Sequence, residues 1–329
     1  MAQAKEAETD LAVRAAWLSY VGGYTQEQIA QRLGVSRVKV HRLSALAQDL
    51  GFVKVTIEHD LASTVMLEDR LIGTYGLENC ILVPSMDDAI NGQGGTVTAL
   101  GAAGARFLSR YLDRKPATTI GIGWGRTLSA AAEGLLRRPR PSHRFVSVLG
   151  SLTRHAAANP YDVIHQLTHK TGAEGFIMPV PFIADAVSDR TLLLGQKSVG
   201  KIMELAEQAD LYMLGIGACG PEASSFESGQ VTRSEMEALR AAGAVGDLLG
   251  RFFDEKGELV DCEFNDRILG LEPDALRGRQ VAAIAGGKGK QAAIKGALRM
   301  GVITTLITDE ATAEGLVGAS PGKAMSNQK

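Results

Sequence analysis

The stretch TIGIGWGRTLSAAAEGL (119–135) decides the fold. It reads as a short apolar strand, a glycine-rich turn and a helix. Gly121, Gly123 and Gly125 let backbone N–H groups approach a ligand, and Arg126 and Thr127 open the helix, where the dipole and free N–H groups favour an anion. The spacing is not a dinucleotide fingerprint, which needs G-x-G-x-x-G, and it is not a Walker loop, which needs G-K-[ST]. Taken alone, it is also compatible with a tight strand-to-helix turn.

Working outward, VAAIAGGKGKQAAIKGAL (281–298) repeats the pattern, with Gly286-Gly287 at the strand end and Lys288 and Lys290 in the first turn. Lysines are unfavourable beside a positive helix end unless an anion sits there. Further apolar runs of strand length are CILVP (80–84), RFVSVLG (144–150), FIMPVP (176–181), LYMLGIG (211–217) and TTLITD (304–309). Helical patterns at 92–112, 125–136, 160–171, 197–208, 233–241, 289–299 and 310–317 separate the runs. Such alternation, with near-continuous apolar strands, predicts an α/β domain built on a parallel sheet covered on both faces. Its glycine-rich loops would converge at the carboxyl edge, where open α/β sheets bind ligands.

The first sixty residues read differently. Residues 1–9 are polar and expected to form a disordered tail, and residues 10–50 carry apolar residues at helical spacing. In TQEQIAQRLGVSRVKVHRLSAL (25–46), Thr25 with Gln28 fits a capping box, Gly34 permits a sharp turn, and Ser36 caps a second helix. The inner face of that helix is Val40, Leu43 and Ala47, and its outward positions include Arg37, Val38, His41 and Arg42. Between residues 28 and 48 stand Arg32, Arg37, Lys39, Arg42 and His41 with no acid, although residues 1–60 together hold seven Lys/Arg and seven Asp/Glu. Positive charge concentrated on one helix is the footprint of a recognition helix in the major groove. The candidate DNA-binding residues are therefore Ser36, Arg37, Val38, Lys39, His41 and Arg42. The alternative is a helical hairpin with a solvated basic face. FVKVTI (52–57) alternates and is expected to form a strand or hairpin arm. The expected division is a DNA-binding unit over 10–58, a linker over 59–64, an effector-binding unit over 65–320 and a second disordered tail over 321–329.

Composition limits the remaining options. The chain has 329 residues, a net charge of −2 and three cysteines (Cys80, Cys219, Cys262). It is too long for one small domain and not basic overall, so any nucleic-acid site is local. An odd, scattered cysteine set fits no disulfide framework and no zinc pair, and suggests the cytoplasm. No apolar run is long enough to span a membrane. No metal site is expected, because His165 and His169 lack the H-E-x-x-H pattern and His143 and His155 lack a third ligand. No cofactor is expected either. Other polar candidates are Asp247, Asn159, Asp185, Asp189 and the third glycine-rich strand end LGIGACGPE (214–222). Trp124 is placed either to stack on a sugar face or to pack.

These segments together resemble the SorC family of bacterial sugar-responsive transcription regulators. The resemblance runs from about residue 10 to 318. It is carried by RAAWLSYVGGYTQEQIAQRLGVSRVKVHRL, GIGWGRTL, LGIGACGPE, DEKGELVDCEFNDRILGL, IAGGKGKQAAIKGAL and VITTLITDEATAEGL. The N-terminal module is most similar to that of regulators of polyol catabolism, such as erythritol regulators. The resemblance implies a winged or extended helix-turn-helix joined to an effector domain similar to ribose-5-phosphate isomerase and glucosamine-6-phosphate deaminase folds. It implies dimers or tetramers, operator DNA as partner, and a sugar, polyol or sugar-phosphate effector. The family's phosphate loop falls on Gly125, Arg126 and Thr127, its anion-binding lysine on Lys290 and its acidic sugar contact on Asp247. With the neighbouring loop residues, the candidate effector site is Gly123, Trp124, Gly125, Arg126, Thr127, Asp247, Gly286, Gly287 and Lys290. Relatives that bind a bisphosphate carry arginine near Leu149 and GGTT in place of WGRT. The expected effector is therefore a monophosphate or an unphosphorylated polyol. The competing expectation is a sugar-phosphate isomerase or deaminase, which would need a general base such as Asp185 or Asp247 facing the anion loop.

Overall fold

The structure is a computed structural model that describes residues 2–53, 62–86, 94–152, 163–220 and 223–318. The chain divides into two compact units, Met1–Asp60 and Leu61–Lys329.

Among the described residues, the first unit holds three helices: α1 (Ala2–Tyr20), α2 (Gln26–Leu33) and α3 (Arg37–Asp49). Helix α1 begins at Ala2, so the segment expected to be a disordered tail continues the helix instead. Its composition, AQAKEAETD, is polar but rich in good helix formers, so local propensity favours helix there. Thr25 caps α2 with both halves of the capping box in place. Gly34 adopts φ 65°, the left-handed turn between α2 and α3. Ser36 then caps α3 by accepting the Lys39 N–H. Ile29 and Ala30 of α2 and Val40, Leu43 and Ala47 of α3 pack on Ala12, Ala15, Ala16 and Leu18 of α1. The small residues of α1 allow the close helix approach, and Gln48 ties α3 to α1 by donating to the Tyr20 hydroxyl at 2.8 Å. Phe52 and Val53 form no strand, and residues 54–57 of the expected strand lie outside the described residues.

The second unit begins with α4 (Ala62–Tyr75), so the last part of the expected linker is already helical; residues 59–61 lie outside the described residues. There follow β1 (Asn79–Val83), α5 (Gly95–Arg114), β2 (Thr119–Ile122), α6 (Arg126–Gly134), β3 (Arg144–Leu152), α7 (Val163–Thr171) and β4 (Glu174–Pro181). Then come α8 (Val187–Leu194), α9 (Lys197–Glu207), β5 (Leu211–Gly215), β6 (Gly217–Ala218), α10 (Ser224–Glu227), α11 (Arg233–Ala241), β7 (Gly246–Leu248) and β8 (Arg251–Phe253). The chain continues through α12 (Glu263–Asp266), β9 (Val281–Ile284), α13 (Gln291–Arg299), β10 (Thr305–Asp309) and α14 (Glu310–Val317). The tail expected over 321–329 lies outside the described residues.

Strands β1-β10-β9-β5-β2-β3-β4 form one sheet in that order, with every pairing parallel. All seven are the apolar runs read from the sequence. Successive residues serve opposite faces: Leu211 and Met213 of β5 enter one core, Tyr212 and Leu214 the other. The chain leaves β2 toward β3 on one side and β5 toward β9 on the other. The β2/β5 boundary is thus the topological switch point of the sheet. A small antiparallel sheet, β6-β7-β8, stands beside the carboxyl edge and was not anticipated.

The caps make a testable claim about the first unit. Thr25→Ala should lower the opening free energy of the buried Ile29 amide by about 1 kcal/mol. Native-state hydrogen exchange reads this directly, and unchanged protection would contradict the capping role.

Candidate functional site

Beyond the carboxyl ends of β2, β5 and β9 lies a cavity of 580 Å³. Gly123, Trp124, Gly125, Arg126, Thr127, Asp247, Gly286, Gly287 and Lys290 all line it. Strand β5 pairs with both β2 and β9, so the loops after the outer two strands flank the loop after the middle one. Thr127 fastens the arrangement, its hydroxyl donating to the Ile284 carbonyl at 3.0 Å.

The polar floor comes from the small sheet. Gly217 of β6 pairs with Asp247 of β7. A Cβ at Gly217 would lie 1.8 Å from Asp247 Oδ1, so only glycine admits the carboxylate there. Lys290 donates from Nζ to the Ile216 carbonyl at 2.8 Å. Burial pushes the Asp247 carboxyl up to about 6, with nearby Lys290 opposing. Burial pushes the Lys290 ammonium down to about 8, reinforced by Arg126 and opposed by Asp247. The carboxyl and the amine stand as an acceptor and a donor for hydroxyl groups.

The loops do less with their backbone than the sequence suggests. The Gly123 N–H is spent on the Met213 carbonyl at 3.0 Å. The Gly287 N–H donates to Asp309 Oδ2 and to the Thr312 hydroxyl, each at 2.8 Å. Gly286 is small because a Cβ there would meet Asp309 Oδ2 at 2.3 Å. Gly121 lies within β2 and faces Tyr212 and Val148, so it serves packing. What remains for a ligand is the start of α6, where Gly125 (φ 135°) supplies no side-chain cap. Arg126 there pairs with Glu227 at 3.6 Å. Trp124 both packs and lines the cavity, meeting Phe182 edge-on with centroids 5.3 Å apart.

Several lining residues carried no signal in the sequence: Thr96, Ser225, Glu227 and Leu249. Leu249 and Gly250 form the two-residue turn between β7 and β8, and Leu249 holds φ 54°. That conformation is unfavourable for a leucine. Leu149, where an arginine would mark a bisphosphate site, lines the cavity as an apolar wall. Asp185 and Asp189 line a separate cavity of 390 Å³ with Leu192 and Leu193, away from the anion loop. His143 is buried against the Thr118 hydroxyl at 2.9 Å. Asn159 and His155 lie outside the described residues. Among the described residues, no group of three His, Cys, Asp or Glu side chains is placed to hold a metal, and no helix is long and apolar enough to cross a membrane.

On the first unit, α3 presents Arg37, Val38, Lys39, His41 and Arg42 to solvent, with Val38 74% exposed. Ser36 sits at the start of that face as the cap.

The family model described as "Putative sugar-binding domain" matches residues 59–318. The erythritol catabolism regulatory protein EryD of Brucella abortus is 41% identical over 318 residues, which is 97% of this chain and 99% of that protein. The chain belongs to the SorC family of sugar-responsive transcription regulators. The deoxyribonucleoside regulator of Bacillus subtilis is 30% identical over 93% of this chain and 97% of its own length. The crystal structure of the full-length sorbitol operon regulator SorC from Klebsiella pneumoniae superposes with a TM-score of 0.68. That match has 27% identity and covers 94% of this chain and 99% of that one. The SorC-family resemblance read from the sequence therefore holds along both units.

The raised Asp247 carboxyl has a thermodynamic consequence. A carboxyl held above its usual value binds its proton more tightly in the folded state, so its contribution to stability falls as pH rises between the two values. Asp247→Asn should melt above the wild type by a margin that grows between about pH 4 and about pH 6 and then stays level. Calorimetric melting across that range checks it; a margin independent of pH would contradict the buried-carboxyl assignment.

Proposed function

We propose that the protein binds operator DNA through α3 and releases or reorganises on that DNA when a sugar, polyol or sugar-phosphate effector fills the cavity at the carboxyl edge of the sheet. The observation that carries this reading is the pairing of an exposed basic helix face over residues 37–42 in one unit with a polar cavity in the other. Ser36, Arg37, Val38, Lys39, His41 and Arg42 make the DNA contacts in this account. Asp247 and Lys290 hold effector hydroxyls, Arg126 and Thr127 with Gly123, Gly125, Gly286 and Gly287 shape the loop end, and Trp124 forms a wall. The effector belongs to a carbohydrate or polyol catabolic operon, by analogy with the relatives named for erythritol and sorbitol. The protein acts in the cytoplasm as a homodimer or homotetramer, because a two-fold assembly matches paired half-sites on a pseudo-palindromic operator.

Asp247 also has the placement and raised pKa that a general base would need. That observation is the ground for the second reading, a sugar-phosphate isomerase or deaminase activity. Relatives named as regulators along the full chain favour the binding role instead. Turnover of aldose, ketose or amino-sugar phosphates that Asp247→Asn abolishes would reverse the preference.

Binding to the protein's own upstream DNA, measured at two salt concentrations and with a panel of polyols and sugar phosphates, tests the proposal. Specific binding altered by one ligand supports it; no sequence-specific binding under any condition contradicts it. Arg37→Ala or Arg42→Ala should weaken operator binding by about 1–3 kcal/mol if the residue reads a base, and leave effector binding intact. Unchanged operator affinity in both variants would remove α3 as the reading element.

A further inference from the structure

The Arg126 end of the cavity carries an acid of its own. Glu227, the last residue of α10, pairs with the Arg126 guanidinium at 3.6 Å and lines the same cavity. Two residues earlier, Ser225 is 7% exposed and also lines the cavity, and its Oγ has no hydrogen-bond partner among the described residues. A buried hydroxyl left unpaired costs free energy that a bound ligand group can restore. The charged side chains lining the cavity, among the described residues, are Arg126, Lys290, Asp247 and Glu227. Two cations thus face two anions. Lys290 stands near Asp247 and bonds the Ile216 carbonyl, and Arg126 faces Glu227.

The chemistry of a ligand that fits such a lining follows from donor and acceptor counts. A monoester keeps hydroxyl donors for Asp247, but its phosphoryl group, mostly a dianion at neutral pH, offers acceptors and at the start of α6 would sit beside Glu227 as a like charge. A polyol offers a donor and acceptors at every hydroxyl. It can donate to Asp247 and Glu227 while accepting from Lys290 and Arg126, and its hydroxyl can meet the Ser225 Oγ.

We propose that Glu227 and Ser225 make the Arg126 loop a hydroxyl-reading subsite, so that the cavity takes an uncharged polyol or sugar and Glu227 sets the preference against phosphate esters. This deepens the effector assignment made above and rests on it. Glu227 acts by contact with ligand and with Arg126 together. It occupies the cation that a phosphate would need and supplies the acceptor that a hydroxyl needs.

Calorimetric titration of the full-length protein at neutral pH, with erythritol, ribitol and sorbitol, with a monophosphate ester of each and with inorganic phosphate, tests the proposal. The wild type should bind one free polyol at least about tenfold more tightly than its ester. Glu227→Gln should gain about tenfold or more in affinity for the ester and for inorganic phosphate, narrowing or reversing the ratio. Ser225→Ala should weaken the free polyol and its ester alike and leave the ratio in place. Both variants should keep wild-type operator affinity, which reports an intact fold. An ester that binds the wild type more tightly than its polyol, a ratio unmoved by Glu227→Gln, or no binding by any ligand of the panel overturns the proposal. In the first of these cases, an ester that alters operator binding leaves the regulator reading standing. That reading fails separately, through the absence of operator binding.

Discussion

A carboxylate can stand on the floor of the cavity only because the strand beside it has no side chain. Gly217 pairs with Asp247 so closely that a methyl group would occupy the position of Oδ1. With Asp247 in place, the Lys290 ammonium has an opposite charge nearby and tolerates its own burial. With Lys290 held to the Ile216 carbonyl, the loop after β9 meets the loop after β5. The Thr127 hydroxyl then closes the circuit by bonding Ile284 from the loop after β2. A polar chamber at the switch point of an otherwise apolar sheet follows from that close pairing.

The same economy appears at Gly286, whose missing side chain leaves room for Asp309. Asp309 is nearly inaccessible and spends its carboxylate on Gly287, on the Thr312 hydroxyl and on the start of α14. The lysine-bearing loop is therefore held from behind through the Gly287 amide, and it presents the Lys290 side chain to the cavity. In the first unit the division of labour is sharper. The inner faces of three helices form one apolar cluster, Arg37, Lys39 and Arg42 are exposed, and Arg32 is held on Tyr24. Low net charge in the whole chain is no obstacle to DNA binding when the charge is gathered in this way.

Much of this was legible in the residues. Fully buried parallel strands must be apolar on both faces, so each of the seven strands of the large sheet announced itself as a continuous run. The caps at Thr25 and Ser36 were visible because their chemistry is local, three residues from donor to acceptor. The glycine loops were visible as loops, and Gly123, Gly125, Arg126, Gly286, Gly287 and Lys290 do line one cavity, whereas Gly121 packs within β2. What stayed hidden depends on distance along the chain or on very short elements. Strands β6, β7 and β8 have two or three residues each, too few to show a period. The Gly287 N–H is consumed by an aspartate 22 residues away, and no spacing rule connects the two. Glu227 and Ser225 sit in a four-residue helix with no motif around them. The helical start of α1 stays hidden because a polar segment suits a tail as well as a helix, although its propensity favours helix.

In the proposed function the cavity and the basic helix belong to one switch. The most direct measurement is the affinity of the active polyol for the protein free and saturated with its operator DNA, together with the affinity for that DNA with and without the polyol. Coupling between two sites is reciprocal, so the two ratios must agree. Coupled sites give a ratio well away from unity and equal in both directions. A polyol that binds the cavity with the same affinity whether or not DNA is present would contradict the switch.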